Sequence, residues 1–330
     1  MIVTLLLLHL VAAMLAPALV RVLNRRAFYV LAIAPGAAVA WALLQTPDII
    51  GSSGIVHTER HTWIAGLGLG LDFRLDALSW AMTLLVSGVG ALVLVYCASY
   101  FRDDDPHLWR FTGVFTAFAG SMLGLVLADD MLLMYVFWEL TTVFSYLLVG
   151  HNPERKANRR AAMTALIVTT VGGLAMLVGI VMIGEHTGSY RLSTLVAEAP
   201  GGTIISVSAG LLLLGAITKS ALVPFHFWLP GAMAAPTPVS AYLHAAAMVK
   251  AGIYLVAATA PALASTPFWR ESLLSLGVIT MIVGGLRALR QYDVKLLLAY
   301  GTVSQLGFLM VVVGIGSRSA ALAGAVAATK

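Results

Sequence analysis

Three ionisable side chains stand deep inside apolar runs: Glu139 in YVFWELTTVF, Lys219 in LLGAITKSALV and Lys250 in AAAMVKAGIYL. A carboxylate and two amines can take up, hold and release protons, and no other formal charge lies as deep in an apolar run. An ionisable group at mid-bilayer costs on the order of 2.5–3.5 kcal/mol on insertion scales, so it marks a wet path or a pair inside a helical bundle. One acid against two bases leaves a lysine that a purely structural Glu–Lys pair does not employ. Proton handling accounts for the set better. His244, six residues before Lys250, is expected on the same helix as Lys250, about 9 Å away along the axis and on a different face. A relay between them therefore needs water or another side chain. His226 extends the set, whereas His9, in the first apolar run, is read as structural.

The elements that must position these groups include a broken helix. Lys219 is expected inside a helix running from Leu211 to Val223, which Pro224 then interrupts because proline lacks an N–H and clashes with the preceding turn. Pro224, His226 and Pro230 mark the broken segment, and Gly231, Pro236 and Pro238 prolong it to Ser240, where the helix carrying His244 and Lys250 is expected to open. Non-helical backbone at membrane depth is tolerated only when buried in protein or lining a watery cavity, and transporters build their central sites from discontinuous helices. Further on, Tyr300, Thr302, Ser304 and Gln305 interrupt another apolar run. They are expected to hydrogen-bond between helices or to line the continuation of a polar path.

Composition places all of this in a membrane. Of 330 residues, 60% are hydrophobic and 11% charged, against about 25% charged in a soluble domain, and the mean hydropathy is +0.92. The fold class is an all-α polytopic membrane protein. Windows of about 20 apolar residues fall near 2–20, 27–45, 76–98, 111–128, 131–150, 161–184, 206–223, 239–261, 272–288 and 296–314. An eleventh apolar stretch begins near 319 and reaches Lys330, too short to cross, so the chain is expected to be a fragment or a truncated reading frame. Loops after odd-numbered spans carry twelve Lys and Arg, among them Arg25, Arg102 and Arg159, against five in the even loops. The positive-inside rule then puts the odd loops in the cytoplasm and the N-terminus outside. Basic residues following the first span rather than preceding it argue against a secretory signal.

Several chemistries are excluded. One cysteine, Cys97, permits neither an internal disulfide nor a multi-cysteine metal site, and it is read as a buried thiol. The net charge of +5 follows from membrane topology, so no nucleic-acid partner is implied. Gly66, Gly68 and Gly70 lack dinucleotide-loop spacing and suggest an extracytoplasmic hairpin; His57 and His61 do not make a zinc motif. Asp103 to Asp105 read as a solvated turn. No cofactor, metal site or enzymatic site of its own is expected.

The stretch KSALVPFHFWLPGAMAAPTPVSAYLHAAAMVKAGIYL (Lys219 to Leu255) resembles the signature of the proton-translocating antiporter-like subunits of respiratory complex I and of Mrp-type multi-subunit cation/proton antiporters. Met131 to Gly150, Asp293 to Phe308 and Leu71 to Tyr96 resemble further segments of the family. Gly231 and Lys250 favour the A-type Mrp subunit over the complex I counterpart, which has Asp and Thr there. The resemblance implies an antiporter-like bundle with a broken helix 7, about 10–11 of fourteen core spans being present. It implies N-terminal helices with an extracytoplasmic loop over 1–110, a first five-helix repeat forming a proton-channel half over 111–261, and an incomplete second repeat over 262–330. It also implies that Glu139 modulates Lys219, and that Lys250 is the central proton carrier with His244 beside it. Implied partners are the other subunits of a cell-membrane antiporter complex, H⁺ and Na⁺, and the lipid bilayer; the chain would be a secondary transporter subunit rather than an enzyme. The alternative is a proton-pumping membrane subunit of an NADH:quinone oxidoreductase or a membrane-bound hydrogenase.

Overall fold

The computed structural model describes residues 1–50, 56–64, 69–266 and 268–328. In chain order the elements are α1 (Ile2–Leu23), α2 (Ala27–Leu31), α3 (Ile33–Leu44), α4 (Thr46–Ile50), β1 (His57–Ile64), β2 (Leu69–Leu75), α5 (Ala77–Tyr100), α6 (Leu108–Leu127), α7 (Met131–Val149) and α8 (Lys156–Thr187). There follow α9 (Leu192–Glu198), α10 (Thr203–Lys219), α11 (Trp228–Gly231), α12 (Thr237–Val239), a π-helix at Ser240–Ala246, α13 (Lys250–Leu263), α14 (Trp269–Ala288) and α15 (Val294–Ala328). Seven helical runs among the described residues are long and apolar enough to cross a bilayer, with Ile2–Leu44 counted as one; α10 and α13 are shorter apolar helices. The chain divides into two compact units, Met1–Leu166 with Ala234–Met248, and Ile167–Met233 with Val249–Lys330.

The first unit is built around α6, whose span is 72% buried and whose interior Phe111, Phe115 and Phe118 are all but inaccessible. Small residues let its neighbours approach, as packing without a hydrophobic drive in lipid requires. A Cβ on Gly120 would lie 2.7 Å from the Cβ of His9 on α1, and His9 itself is buried with Nδ1 2.8 Å from the Leu5 carbonyl. The antiparallel β1–β2 hairpin pairs His57 with Leu75 and Thr62 with Gly70; Gly66 and Gly68, expected at its tip, lie outside the described residues. Asp76 then starts α5 with a reciprocal capping box: its Oδ1 accepts from Ser79 N–H at 2.9 Å and its own N–H donates to Ser79 Oγ at 2.7 Å. Such boxes satisfy N–H groups that a helix end otherwise leaves open. Cys97 is buried and free, as expected.

In the second unit α14 and α15 meet backbone to backbone. A Cβ on Gly284 would lie 2.6 Å from Ser304 N, and one on Gly307 2.5 Å from Met281 N. α15 is continuous from Val294 to Ala328, so the apolar stretches near 296–314 and 319 are one helix and not two spans.

The broken region departs from expectation in two respects. α10 ends at Lys219, five residues before the proline, so Lys219 is the last helical residue and not an interior one. Ala221 has φ +50°, which leaves the helical region, and Val223, preceding a proline, is disfavoured in it; the Val223–Pro224 peptide is cis. Nor does Ser240 open a regular helix. Residues Ser240–Ala246 form a π-helix, seen in the Ala247 N–H bond to the Tyr242 carbonyl at 2.8 Å, and the α-helix resumes only at Lys250. His244 and Lys250 are therefore on separate elements, and they belong to different compact units.

Candidate functional site

The two lysines share one junction of the second unit. Ser220, next after Lys219, donates its hydroxyl to the carbonyl of Val249, the residue before Lys250, at 2.6 Å. The bond ties the C-terminal end of α10 to the N-terminal end of α13. Gly252, one half-turn into α13, makes the closeness possible: a Cβ there would collide with Ser220 Oγ and the Ala216 carbonyl. Lys219 is fully buried and Lys250 partly so.

Leaving the helix exposes backbone groups that lipid cannot satisfy, and the chain accounts for them with side chains. The Thr218 carbonyl accepts from Trp228 Nε1–H at 2.9 Å, and Val223 N–H donates to Thr280 Oγ1 at 3.1 Å. The Met233 carbonyl accepts from Lys295 Nζ at 3.3 Å. The break is thus a built feature with its own donors and acceptors. Of the residues that mark it, Pro230 is buried, His226 half-buried and Pro224 exposed.

Sequence reasoning did not single out Ser220, Trp228, Gly252 or Thr280. A lone Thr in the apolar run of α14 and a Ser adjoining a buried lysine were the available signals. For Gly252, only the spacing of two helices reveals the need.

The remaining candidates fall as follows. Tyr300, Thr302, Ser304 and Gln305 lie on α15 in the second unit, where Ser304 Oγ donates to the Met281 carbonyl of α14 at 2.9 Å and Thr302 bonds back to Leu298. The Tyr300 ring stands 5.9 Å from the Arg287 guanidinium, and Gln305 is exposed. Glu139 and His244 lie in the first unit. Glu139 is half-buried on α7, beside the buried Trp138 whose carbonyl accepts from Thr141 and Thr142. His244 is buried on the π-helix.

Outside the spans the first unit holds two further polar clusters. Asp103 pairs with Arg25 at 3.6 Å, and Asp105 with the buried His151 at 3.7 Å, so the expected solvated turn is partly anchored. Burial pushes the His151 imidazole below its ordinary range; Asp105 opposes that push, while Arg110 and His107 add to it. Asp130 caps α7 by accepting from Leu133 N–H at 2.9 Å. Burial raises its carboxyl against those cap bonds, with Asp72 and Asp129 adding to the rise. Among the described residues no group of three or more His, Cys, Asp or Glu could hold a metal ion.

Comparison with known proteins extends this geometry. The family model described as NADH:quinone oxidoreductase/Mrp antiporter, TM, matches residues 128–328, and that of complex I chain 5 N-terminus matches residues 63–112. A Rhizobium meliloti (strain 1021) protein, named as the A/B component of a K(+)/H(+) antiporter, is 44% identical over 281 residues, covering 83% of this chain and 28% of that protein. A Staphylococcus aureus (strain MRSA252) protein named as antiporter subunit mnhA2 is 42% identical, over 90% of this chain and 37% of its own length. A chain of the Mrp complex from Dietzia sp. DQ12-45-1b superposes with TM-score 0.88 at 38% identity, over 97% of this chain and 34% of that one. An archaeal membrane-bound sulfane sulfur reductase shares the fold at TM-score 0.80 and 22% identity, over 95% of this chain and 64% of that one. The chain thus spans about a third of the length of its antiporter relatives.

Proposed function

Since the chain belongs to the NADH:quinone oxidoreductase/Mrp antiporter transmembrane family, we propose that it is the proton-translocating part of an A-type subunit in a multi-subunit monovalent cation/proton antiporter. The Ser220–Val249 bond carries this reading, because it ties together the helix ends that bear a buried lysine, Lys219, and a partly buried one, Lys250. Proton transfer demands donor and acceptor within hydrogen-bond reach or one water apart, and a fixed junction supplies that constancy. Glu139 is the electrostatic partner: an opposite charge within about 4–6 Å favours a charged lysine, while burial favours a neutral one. Protonation or displacement of Glu139 removes that support, and Lys219 passes its proton towards Lys250. His244 continues the relay, and residues 111–261 form the proton-channel half.

The cation exchanged is Na⁺ or K⁺, and its path runs through other subunits or through parts of the protein beyond these residues. The protein resides in the cell membrane with its N-terminus outside, assembled with further antiporter subunits. The test is cation-triggered recovery of a pre-formed pH gradient in everted vesicles holding the complete complex, beside Glu139→Gln and Lys219→Ala. Recovery without redox substrate, lost in both variants while assembly persists, is the expected result. Near-normal recovery in either variant overturns the relay. Acidification that needs NADH and ignores Na⁺ and K⁺ transfers the chain to the redox-driven pumps of the same family.

A further inference from the structure

Most buried helical hydroxyls in this chain turn back onto their own helix. Thr116 donates to the Thr112 carbonyl at 2.9 Å, Ser121 to Ala117 at 2.9 Å and Thr259 to Leu255 at 2.8 Å. Thr83 and Ser87 on α5 do not. Both are buried, and neither hydroxyl has a hydrogen-bond partner among the described residues. The same holds for Tyr242 OH, on a side chain that is completely buried. Buried polar atoms are nearly always satisfied by protein or by ordered water, so these three hydroxyls, with Ser240 Oγ a fourth of the kind in the same unit, point to a bound ligand.

Their placement is ordered. Ser79, Thr83, Ser87 and Gly90 follow one another on α5 at intervals of four, four and three residues, which sets them on one helix face. Tyr242 reaches that face: its ring stacks on Phe115 at 5.1 Å and meets Phe118 edge-on at 5.5 Å, and its oxygen lies 2.9 Å from where a Gly90 Cβ would stand. Only glycine leaves room for the phenol there. The row therefore starts at the Asp76 cap, where Ser79 Oγ already bonds Asp76 Oδ1 at 3.0 Å, and ends on the π-helix. At about 1.5 Å per residue, successive members stand about 6 Å and 4.5 Å apart along the axis. One water oxygen, about 2.8 Å from each neighbour, bridges such an interval. The segment bearing Tyr242 runs antiparallel to α5, with Thr237 N–H at Tyr100 OH (3.4 Å) and Tyr242 at Gly90, so its next residues, His244 among them, descend towards the level of Ser87.

We propose that Thr83, Ser87 and Tyr242 hold a short file of bound water along α5, and that this file is a branch of the proton path joining the Asp76 end of α5 to the π-helix that carries His244. Each hydroxyl accepts one hydrogen bond and donates another, so a proton enters at one end as another leaves; the row keeps no net charge, and its hydrogen bonds turn back before the next transfer. The water file stands on the buried hydroxyls alone; its use as a proton branch rests on the antiport reading above.

The experiment uses the complete complex and two readouts. Millisecond hydroxyl-radical footprinting labels buried side chains only where water is bound beside them. Tyr242 is expected to be labelled in the wild type, and its labelling to fall at least about fivefold in Thr83→Val/Ser87→Ala, where two of the water's partners are gone. Cation-driven proton movement in that double variant is expected to fall about tenfold or more, with Thr83→Ser retaining it. Unlabelled Tyr242 in the wild type overturns the water file, and wild-type transport by the double variant overturns its place in the path. If the double variant does not assemble, the file is decided by labelling of wild-type Tyr242, and the branch by Tyr242→Phe, expected to slow transport; wild-type transport there overturns it. A wild-type complex with no cation-driven proton movement defeats the antiport reading instead, and labelling of Tyr242 still decides the file.

Discussion

Gly252→Ala isolates the contact on which the lysine junction depends. The added Cβ would lie 3.0 Å from the Ala216 carbonyl carbon and closer still to its oxygen and to Ser220 Oγ. Carbon atoms rest about 3.5–4.0 Å apart at optimal separation, so α10 and α13 must part by about 0.5–1 Å. The obstacle is backbone in the body of a helix, which cannot rotate aside as a side-chain tip can. Overpacking of this kind costs about 1–3 kcal/mol, and the parting also stretches the 2.6 Å Ser220–Val249 bond. A misplacement of about 1 Å in a reacting geometry can cost on the order of 10²-fold in rate. The expected outcome is a complex that assembles, unfolds at lower temperature, and moves protons about two orders of magnitude more slowly. Thermal unfolding and gradient recovery in everted vesicles measure both. Gly301→Ala is the control, since nothing lies within 4 Å of a Cβ there; it is expected to be neutral or stabilising by up to about 1 kcal/mol. Wild-type transport by Gly252→Ala, with unchanged stability, would refute the claim that this approach sets the lysine geometry.

Other perturbations follow from the same structure. Ser220→Ala leaves the Val249 carbonyl without the Ser220 hydroxyl and is expected to destabilise by about 1–3 kcal/mol, read by thermal unfolding, with transport falling in parallel. His151 binds protons less readily in the folded protein than its ordinary range implies. The unfolded chain therefore holds more protons between the lowered value and about 6.5. Stability should rise with pH through that window and fall on acidification, and the slope should flatten in His151→Gln; an unchanged melting-temperature profile would remove His151 from the account. Glu59 accepts from the Met1 ammonium at 2.7 Å and from Ile2 N–H at 2.6 Å. Burial raises its carboxyl, but those bonds and His61 outweigh burial and hold it at about 2. The stability it supplies is full above the ordinary carboxylate range and is lost as pH falls towards that value. Glu59→Gln should accordingly speed hydrogen exchange in the first turn of α1.

What the sequence could disclose follows from the range of each interaction. The spans were legible because hydropathy is a local sum, and the hairpin because of the glycines clustered between Gly66 and Gly70. Glu139, Lys219 and Lys250 stood out because charge inside an apolar run is expensive at any position in the chain. The end of α10 was misplaced because Pro224 is a conspicuous local breaker, whereas the actual terminus depends on Ser220 finding a carbonyl 29 residues away. The π-helix was invisible for a similar reason: its extra residue per turn accompanies the burial of Tyr242 against Phe115, Phe118 and Gly90, none of them near it in sequence. His244 and Lys250 looked like neighbours on one helix only because an unbroken 3.6-residue period was assumed.

The corrected helix ends bear on the proposed roles of the two lysines. A helix carries partial negative charge at its C-terminal end and partial positive charge at its N-terminal end, each worth about 0.3–2 kcal/mol to a nearby ion. Lys219 closes α10 and Lys250 opens α13. The first position favours an ammonium and the second disfavours one, so both ends bias a shared proton towards Lys219, by on the order of 1–4 kcal/mol. In the proposed relay, loss of the Glu139 charge removes one stabilisation of the Lys219 ammonium and leaves the helix ends as the bias that transfer to Lys250 has to climb. Lys250→Arg separates this scheme from a merely structural charge. Arginine keeps the cation and comparable length but does not deprotonate in proteins, so it fixes a positive charge at the end where the scheme requires a neutral amine to receive the proton. Assembly is expected to survive and gradient recovery to disappear, as in Lys250→Ala. Recovery at near wild-type rates in Lys250→Arg would mean that position 250 needs charge and not titration, and the proton would have to reach the π-helix by another route.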